Sequence, residues 1–519
     1  MTHLQAIATT SERVDIEVTT REDSTVRETA AQLARLPRIY VMSRQLVRAG
    51  VDTDTGAPVV EPFPPEVMRT DLAGVCRFFK MAANKRGAGL VQSETHPPDW
   101  LTKSVHKLGD WPGVRPLLGV SSTPVLRPDG SIWQTPGYDK VTRYLYIPNA
   151  AYQPIPERPT QGDACQALAG LLEPFQDFPF ASESDRYAAV ALLLTILARP
   201  AIDGPVPMAL VEANMRGTGK SLVVDTAALI ATGKRAARSE FTAANEEMGK
   251  RLHSAAAAGA RFMLLDNISE PIGGATLDAV LTGVVVQFRV LGKSESKIVP
   301  WSAVLAATAN NPILKGDTAR RVYRVRLESS AENPENRTDL HHSPLLPWVA
   351  QERVRLVRQA YTLLRAHAIA ERPTSVKPWG SFESWSRVIA DAIVWAGGED
   401  PQATRASIEA ESDEGVGALD GLLLWFEQTF PDGPKRATKD GFTSATTVKG
   451  LIEASDKNEA LGEALAALLG GKRMDTASVG YALRSIARRH RKGRYLYSEV
   501  KSGCRTWKVS SVDVENKGR

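Results

Sequence analysis

Apolar positions along the first third of the chain come in short runs broken by turn residues. Residues 1–36 are polar and charged and predict a flexible N-terminus. From Arg38 to Pro159, IYVMSRQLVRAGVD reads as two strands around a turn, and TDLAGVCRFFKMA and PPDWLTKSVHKLG read as short helices. TPVLRPDGSIWQTPGYDKVTRYLYIP reads as strands punctuated by Pro-Asp-Gly and Pro-Gly turns. A proline-rich connector then gives way to a helix starting near Thr160 and a second from about Ser182 to Leu197. Between Pro207 and Leu327 short apolar strands alternate with helices, the pattern of a mostly parallel α/β sheet. ERVRLVRQAYTLLRAHAIAE predicts a long amphipathic helix, PWGSFESWSRVIADAIVWAGG continues the helical region, and EDPQATRASIEAESDEG reads as a helix plus a hinge. Beyond Asp432, helices lead to two strands, YLYSEV and RTWKVS, joined by KSG, the outline of a winged helix.

The expected fold is therefore multidomain α/β. A flexible N-terminus (1–36) precedes an N-terminal α+β domain (37–159), a helical collar (160–206) and an α/β core (207–330). A helical extension (331–431) and a basic winged-helix-like domain (432–519) follow. The length of 519 residues agrees with about three or four domains. No internal repeat or low-complexity tract appears.

Composition narrows the class. A hydrophobic fraction of 43% and a charged fraction of 24% are ordinary for a globular protein. The longest apolar runs, such as Ala188–Ala198, fall short of the about 20 residues a membrane span needs. The polar start is no signal peptide. Cys76, Cys165 and Cys504 lie far apart without CxxC pairing, which excludes a disulfide framework and predicts a reducing, cytoplasmic setting. The pair His341-His342 reads as solvated loop. A net charge of +5 decides little, but RSIARRHRKGRYLYSEVKSGCRTWK concentrates basic residues as a phosphate backbone would require.

The chemistry begins at MALVEANMRGTGKSLVVDTAALIATG. A strand from Met208 to Glu212 runs into a Gly-rich turn that opens a helix near Lys220. The turn reads Asn214-Met-Arg-Gly217-Thr218-Gly219-Lys220-Ser221 against the phosphate-binding pattern GxxxxGK[ST], Walker A. Successive backbone N–H groups and the helix N-terminus would cradle phosphate oxygens. Lys220 would reach the β- and γ-phosphates of ATP, and Ser221 would hold Mg²⁺. Asn214 replaces the first glycine and is expected there because it tolerates left-handed geometry.

A second strand must bring a carboxylate to the metal. RFMLLDN supplies Asp266, about 45 residues after the turn, the spacing of a Walker B strand. Asn267 stands where a water-activating glutamate is usual, which leaves Glu247 and Glu270 as candidate bases. VLAATANNP ends a third strand in Asn310, a sensor amide for the γ-phosphate. GDTARRVYRVRL places Arg320 and Arg321 before a fourth strand, either one able to act as an arginine finger on a neighbouring subunit.

The ordered set GTGKS, LLDN, RVLGKSES, ATANNP and GDTARR, followed by an R-x-x-LV-x-x-A-x-x-L-x-R helix, resembles AAA+ replicative helicases of phages, plasmids and mobile islands. These are related to superfamily three and to the self-loading initiator helicases of staphylococcal elements. The resemblance runs from about Ile132 to Pro401. It implies a hexameric ring that hydrolyses ATP with Mg²⁺ at subunit interfaces and draws DNA through a channel. By the same resemblance Lys220 and Ser221 are Walker A, Asp266 Walker B, Asn310 sensor 1, and Arg320 or Arg321 the finger. Asn267 fits relatives that carry DN rather than DE.

QFRVLGKSESKIVPWSAVLAAT occupies the place of a channel hairpin in such helicases, with Lys293 and Lys297 facing single-stranded DNA. Such contacts would be salt-dependent and indifferent to sequence. In the basic tail, Arg484, Arg488, Arg489 and Arg491 lie on or near a helix. Helical spacing puts Arg484, Arg488 and Arg491 on one face for duplex DNA, while Trp507 packs the hairpin core. Residues 1–159 show no primase carboxylate cluster, so any priming would come from a separate protein. An AAA+ protein-remodelling or regulatory ATPase, and a non-hydrolysing scaffold, would share the nucleotide site but need no lysine-tipped hairpin.

Overall fold

The computed structural model describes residues 13–53, 56–84, 89–215, 217–289, 296–310, 312–329, 334–429, 446–469, 473–486, 494–501 and 504–511. The chain divides into two compact units, Met1–Arg405 and Ala406–Arg519.

In the larger unit the N-terminal segment departs from expectation. Residues 13–36 are built into structure: a strand, Val14–Glu17, and a helix, Glu22–Gln32. Ile16, Val26, Ala30 and Leu33 are buried among Phe63, Met68, Leu72 and Phe78. These four apolar positions, sparse among charges, are enough to dock the segment because the helical ones share one face. CRFFKMA is likewise a strand rather than a helix. The helix Pro65–Val75 stops at Cys76, and Cys76–Ala83 pairs with Val14–Glu17 on one side and Leu90–Glu94 on the other. The predicted strand pair forms as Ile39–Met42 and Gln45–Val51, with Ser43 and Arg44 both at positive φ in the two-residue turn between them. PPDWLTKSVHKLG forms the helix Asp99–Lys107.

Two helices then cover the sheet. α1 (Gln161–Leu172) opens with a capping box in which Thr160 and Asp163 satisfy each other's backbone N–H groups. α2 (Glu183–Ala198), capped by Ser182, has twelve buried residues and from Ala188 onward is buried on all sides, as a helix enclosed by neighbours must be. Each fully buried Leu, Ile or Val contributes about 1.5–3 kcal/mol. The one buried hydroxyl of its second half, Thr195, is satisfied by donating to Ala191 O (2.6 Å) and accepting from Trp385 Nε1 (2.8 Å).

The sheet has five strands, all parallel: β1 (Met208–Ala213), β2 (Arg238–Ser239), β3 (Phe262–Ile268), β4 (Val304–Asn310) and β5 (Val322–Leu327), in spatial order β2-β3-β4-β1-β5. β1 is buried at every position, the mark of a central parallel strand covered on both faces. α3 (Lys220–Thr232) follows β1, and α4 (Leu345–Ile369) packs against both α1 and α3. One hydrophobic cluster runs through α1, α2, the sheet, α3, α4 and the helical stretch Glu383–Trp395. The segments read as collar, core and helical extension thus share a core. Ser296–Pro300 pairs with Val285–Arg289 in a hairpin separate from this sheet, and β4 begins at Val304.

In the second unit the predicted hinge is absent, because Arg405–Thr429 is a single helix. Its residues Leu419, Leu422, Leu423 and Phe426 join the same core as Leu451, Leu465, Leu483 and Trp507, so this helix belongs with the C-terminal helices rather than before a boundary at 432. Three helices, Val448–Ser455, Glu459–Leu469 and Thr476–Ile486, precede an antiparallel hairpin of Arg494–Lys501 and Cys504–Ser511. Trp507 is fully buried, as expected of a residue packing the hairpin. Among the described residues no helix is long and apolar enough to cross a membrane.

Candidate functional site

The C-terminal ends of β1, β3 and β4 meet at one edge of the sheet, where open parallel sheets place their ligand crevices. The turn after β1 needs glycine twice: Gly217 and Gly219 have φ of 79° and 96°. Gly219 is the N-cap of α3, and a Cβ there would lie 3.0 Å from Phe178 Cε1. The Thr218 hydroxyl closes the turn on Met215 O at 3.1 Å. Asn214 is not left-handed, so its tolerance of that geometry is not what suits it to this position. Its amide instead donates to Ser329 O (3.1 Å) and accepts from Ser329 N (3.2 Å), tying the start of the turn to the chain leaving β5.

Four of the residues predicted from the motifs, Lys220, Ser221, Asp266 and Asn310, come together in two bonded pairs. Lys220 Nζ donates to Asn310 Oδ1 at 2.7 Å, and Ser221 Oγ donates to Asp266 Oδ1 at 3.0 Å. β4 lies between β1 and β3, which is why an amide ending β4 reaches the lysine after β1. Burial pushes the Asp266 carboxyl upward, but donors from Thr308, Ser221 and Arg238 outweigh it and hold the group below its ordinary value. The carboxylate is therefore charged at neutral pH and faces a hydroxyl, the donor set that suits a hard divalent cation.

Two members of this set escaped the sequence reading. Thr308 donates to Asp266 Oδ1 (2.6 Å), and Arg238 Nε donates to Asp266 Oδ2 (2.9 Å). Thr308 was discoverable, since it stands two residues before Asn310 and strand alternation puts both on one face. Arg238 had no local signal. Asn267 also finds a physical reason. The ladder between β3 and β4 shifts after Leu265, and Asn267 takes φ 52° while its N–H donates to Thr308 Oγ1 at 2.7 Å. Asn is among the few residues that adopt this geometry at low cost, whereas a glutamate would be strained.

The remaining candidates separate. Glu247 lies in the helix Asn245–Ala257, paired with Lys250 (3.0 Å) and Arg251 (3.7 Å); Lys250 is the main cause of its lowered pKa. Glu270 accepts from Ala243 N at 3.1 Å. Arg321 is held by Asp278 (2.6 Å) and Asp317 (3.6 Å), while Arg320, in the same 3-10 turn Gly316–Arg321, is exposed. Lys297 sits in the hairpin strand opposite Phe288, its side chain outside the described residues, as is Lys293 altogether. Arg484 is exposed on Thr476–Ile486; Arg488 and Arg491 lie outside the described residues. His342 is not solvated loop: it stacks on Trp348 at 3.6 Å, and His341 bonds Asp177 at 2.6 Å.

No protein-family model matches this chain, and no curated protein matches it. Among solved structures, the apo C-terminal region of NrS-1 is similar over 90% of this chain and 96% of its own, at 12% identity and a TM-score of 0.35. SCCmec type IV Cch, described as an active helicase, is similar over 92% of this chain and 98% of its own, at 11% identity and a TM-score of 0.33. JCV helicase is similar over 46% of this chain and 67% of its own, at 14% identity and a TM-score of 0.21.

Proposed function

We propose that this chain is an AAA+ ATPase that unwinds DNA as a ring-shaped oligomer, a hexamer by resemblance, during replication of a phage, plasmid or integrated mobile element. The observation that carries the reading is the convergence of Lys220, Ser221, Asp266 and Asn310 at one sheet edge behind a Gly-rich turn. Lys220 and the N–H groups of the turn and of the start of α3 bind the ATP phosphates. Ser221 and Asp266 fit Mg²⁺, a hydroxyl and a charged carboxylate 3.0 Å apart. The ion, when bound, neutralises charge on the β- and γ-phosphates. Asn310 senses the γ-phosphate, a reading supported by its bond to Lys220.

Arg320 is the better finger. A residue acting on a neighbouring subunit must be free to leave its own, and Arg321 is engaged by two carboxylates. The hairpin Val285–Arg289 and Ser296–Pro300, with Lys293 and Lys297, forms the single-strand contact. The C-terminal unit, read as a winged helix with Arg484, Arg488 and Arg491, contacts duplex DNA. The helices read as a collar flank the ring, and a separate primase supplies primers.

The test is ATP hydrolysis by the full chain with and without single-stranded DNA, beside Lys220→Ala. DNA-stimulated hydrolysis that vanishes in the variant, with strand displacement, supports a helicase. Hydrolysis indifferent to DNA overturns unwinding and favours protein remodelling, and no hydrolysis by assembled oligomers favours a scaffold.

A further inference from the structure

We propose that Arg238 is a positioning residue of the nucleotide site, a clamp that aims the Asp266 carboxylate and sets the divalent-cation concentration at which the site fills. The inference rests on the nucleotide-site reading above. Arg238 lies on the two-residue edge strand β2, in register with Leu264 of β3. Its guanidinium spans two carboxylates, with Nε on Asp266 Oδ2 at 2.9 Å and Nη2 on Asp225 Oδ2 at 3.1 Å. Asp225 belongs to α3, the helix that begins with Lys220 and Ser221, and its side chain is 1% exposed. It is itself held by Arg235 Nε and Ala236 N, each at 3.1 Å. One arm of the clamp is thus anchored in a fixed, buried carboxylate, unlike an ordinary surface ion pair.

The consequence for Asp266 is specific. Its Oδ1 accepts from two neutral hydroxyls, Ser221 and Thr308, and its Oδ2 accepts from the Arg238 guanidinium. Outer donors of this kind fix the orientation of a metal-ligating group. A guanidinium also does what a hydroxyl cannot: it offsets the negative charge that attracts a divalent ion. Arg238 and Thr308 therefore differ in sign. Both orient the carboxylate, but only Arg238 opposes filling of the site. The arrangement keeps the ligand organised while making its occupancy depend on the ion arriving with a nucleotide's own negative charge.

Binding of Mn²⁺ to the full-length protein with ADP, read by electron paramagnetic resonance, separates these effects without relying on turnover. Arg238→Gln is expected to tighten Mn²⁺ binding roughly three- to tenfold. Arg238→Lys, which keeps the charge but loses the two-armed fork, should tighten Mn²⁺ binding less than Arg238→Gln. Thr308→Val should weaken the ion instead. Because Arg238 is 45% exposed, its substitutions are expected to fold, and circular dichroism checks this. A midpoint for Arg238→Gln that is unchanged or weaker overturns the clamp while leaving the nucleotide site standing. Absence of nucleotide-dependent Mn²⁺ binding by the native protein overturns both.

Discussion

Arg353 of α4 is 6% exposed, and the acceptors recorded around its guanidinium are all neutral. Its Nε donates to Leu229 O and Ile230 O, both at 3.0 Å, near the C-terminal end of α3. One terminal nitrogen reaches Asn149 Oδ1 (2.8 Å) and the other Ser122 Oγ (3.2 Å), in the segment that precedes the helices. Burial depresses its pKa, the expected cost of an enclosed cation. Replacing it by methionine keeps most of the apolar stem and removes the charge. Hydrogen bonds to a charged donor contribute about 1.5–3 kcal/mol each, and a buried acceptor left alone costs about 1–3 kcal/mol. Against this, several kcal/mol of desolvation penalty is relieved. With the helix-end carbonyls favouring a cation by up to about 2 kcal/mol, Arg353→Met should lower stability by about 2–4 kcal/mol. Urea unfolding of the full chain, followed by far-ultraviolet circular dichroism, measures it. A loss below about 1 kcal/mol, or a gain, would refute the reasoning, because desolvation would then dominate the bonds.

Other consequences are open to measurement. Gly219→Ala forces a left-handed residue with a side chain against Phe178, costing about 1–2 kcal/mol locally; weakened binding of a fluorescent ADP is expected, and native affinity would contradict the strained turn. Arg320→Ala should reduce hydrolysis by roughly 10³-fold or more without changing the unfolding midpoint. Arg321→Ala should chiefly lower stability through Asp278, and the reverse pattern would exchange their roles. Burial lowers the pKa of His367 below 6.5. The unfolded chain therefore takes up a proton first, and stability falls as pH drops below about 6.5 until the folded imidazole also titrates. His367→Gln should flatten that slope, and an unchanged slope would exclude His367 as its source.

The parts of the site legible in the sequence are those carried by neighbours along the chain. A strand, a Gly-rich turn and a helix start specify Lys220 and Ser221 together, because the backbone that binds phosphate is built from consecutive residues. Asp266 and Asn310 follow from strand ends, and the alternation of strands and helices implies the parallel sheet. Arg238, Asp225 and Arg353 were not legible. Their partners lie 28, 13 and over 100 residues away, and only the packed fold brings them together. The early strand Val14–Glu17 was missed for a related reason. A four-residue strand with one buried side chain has almost no periodicity to read until its partner, Cys76–Ala83, is known. Asn214 shows the opposite error, a plausible backbone argument displaced by a side chain that bonds the end of β5.

Mechanically, α3 is a rod pinned at both ends. Thirteen residues give it a length of about 20 Å. Lys220 stands at one end, bonded to Asn310, and the other end is bolted through Arg353 to Asn149 and Ser122. Most helices fray at the C-terminus and would absorb a push there. This one cannot without breaking the Arg353 bonds, so if Lys220 holds phosphate as proposed, a displacement there would be carried to Asn149 and Ser122 instead of being lost on the way.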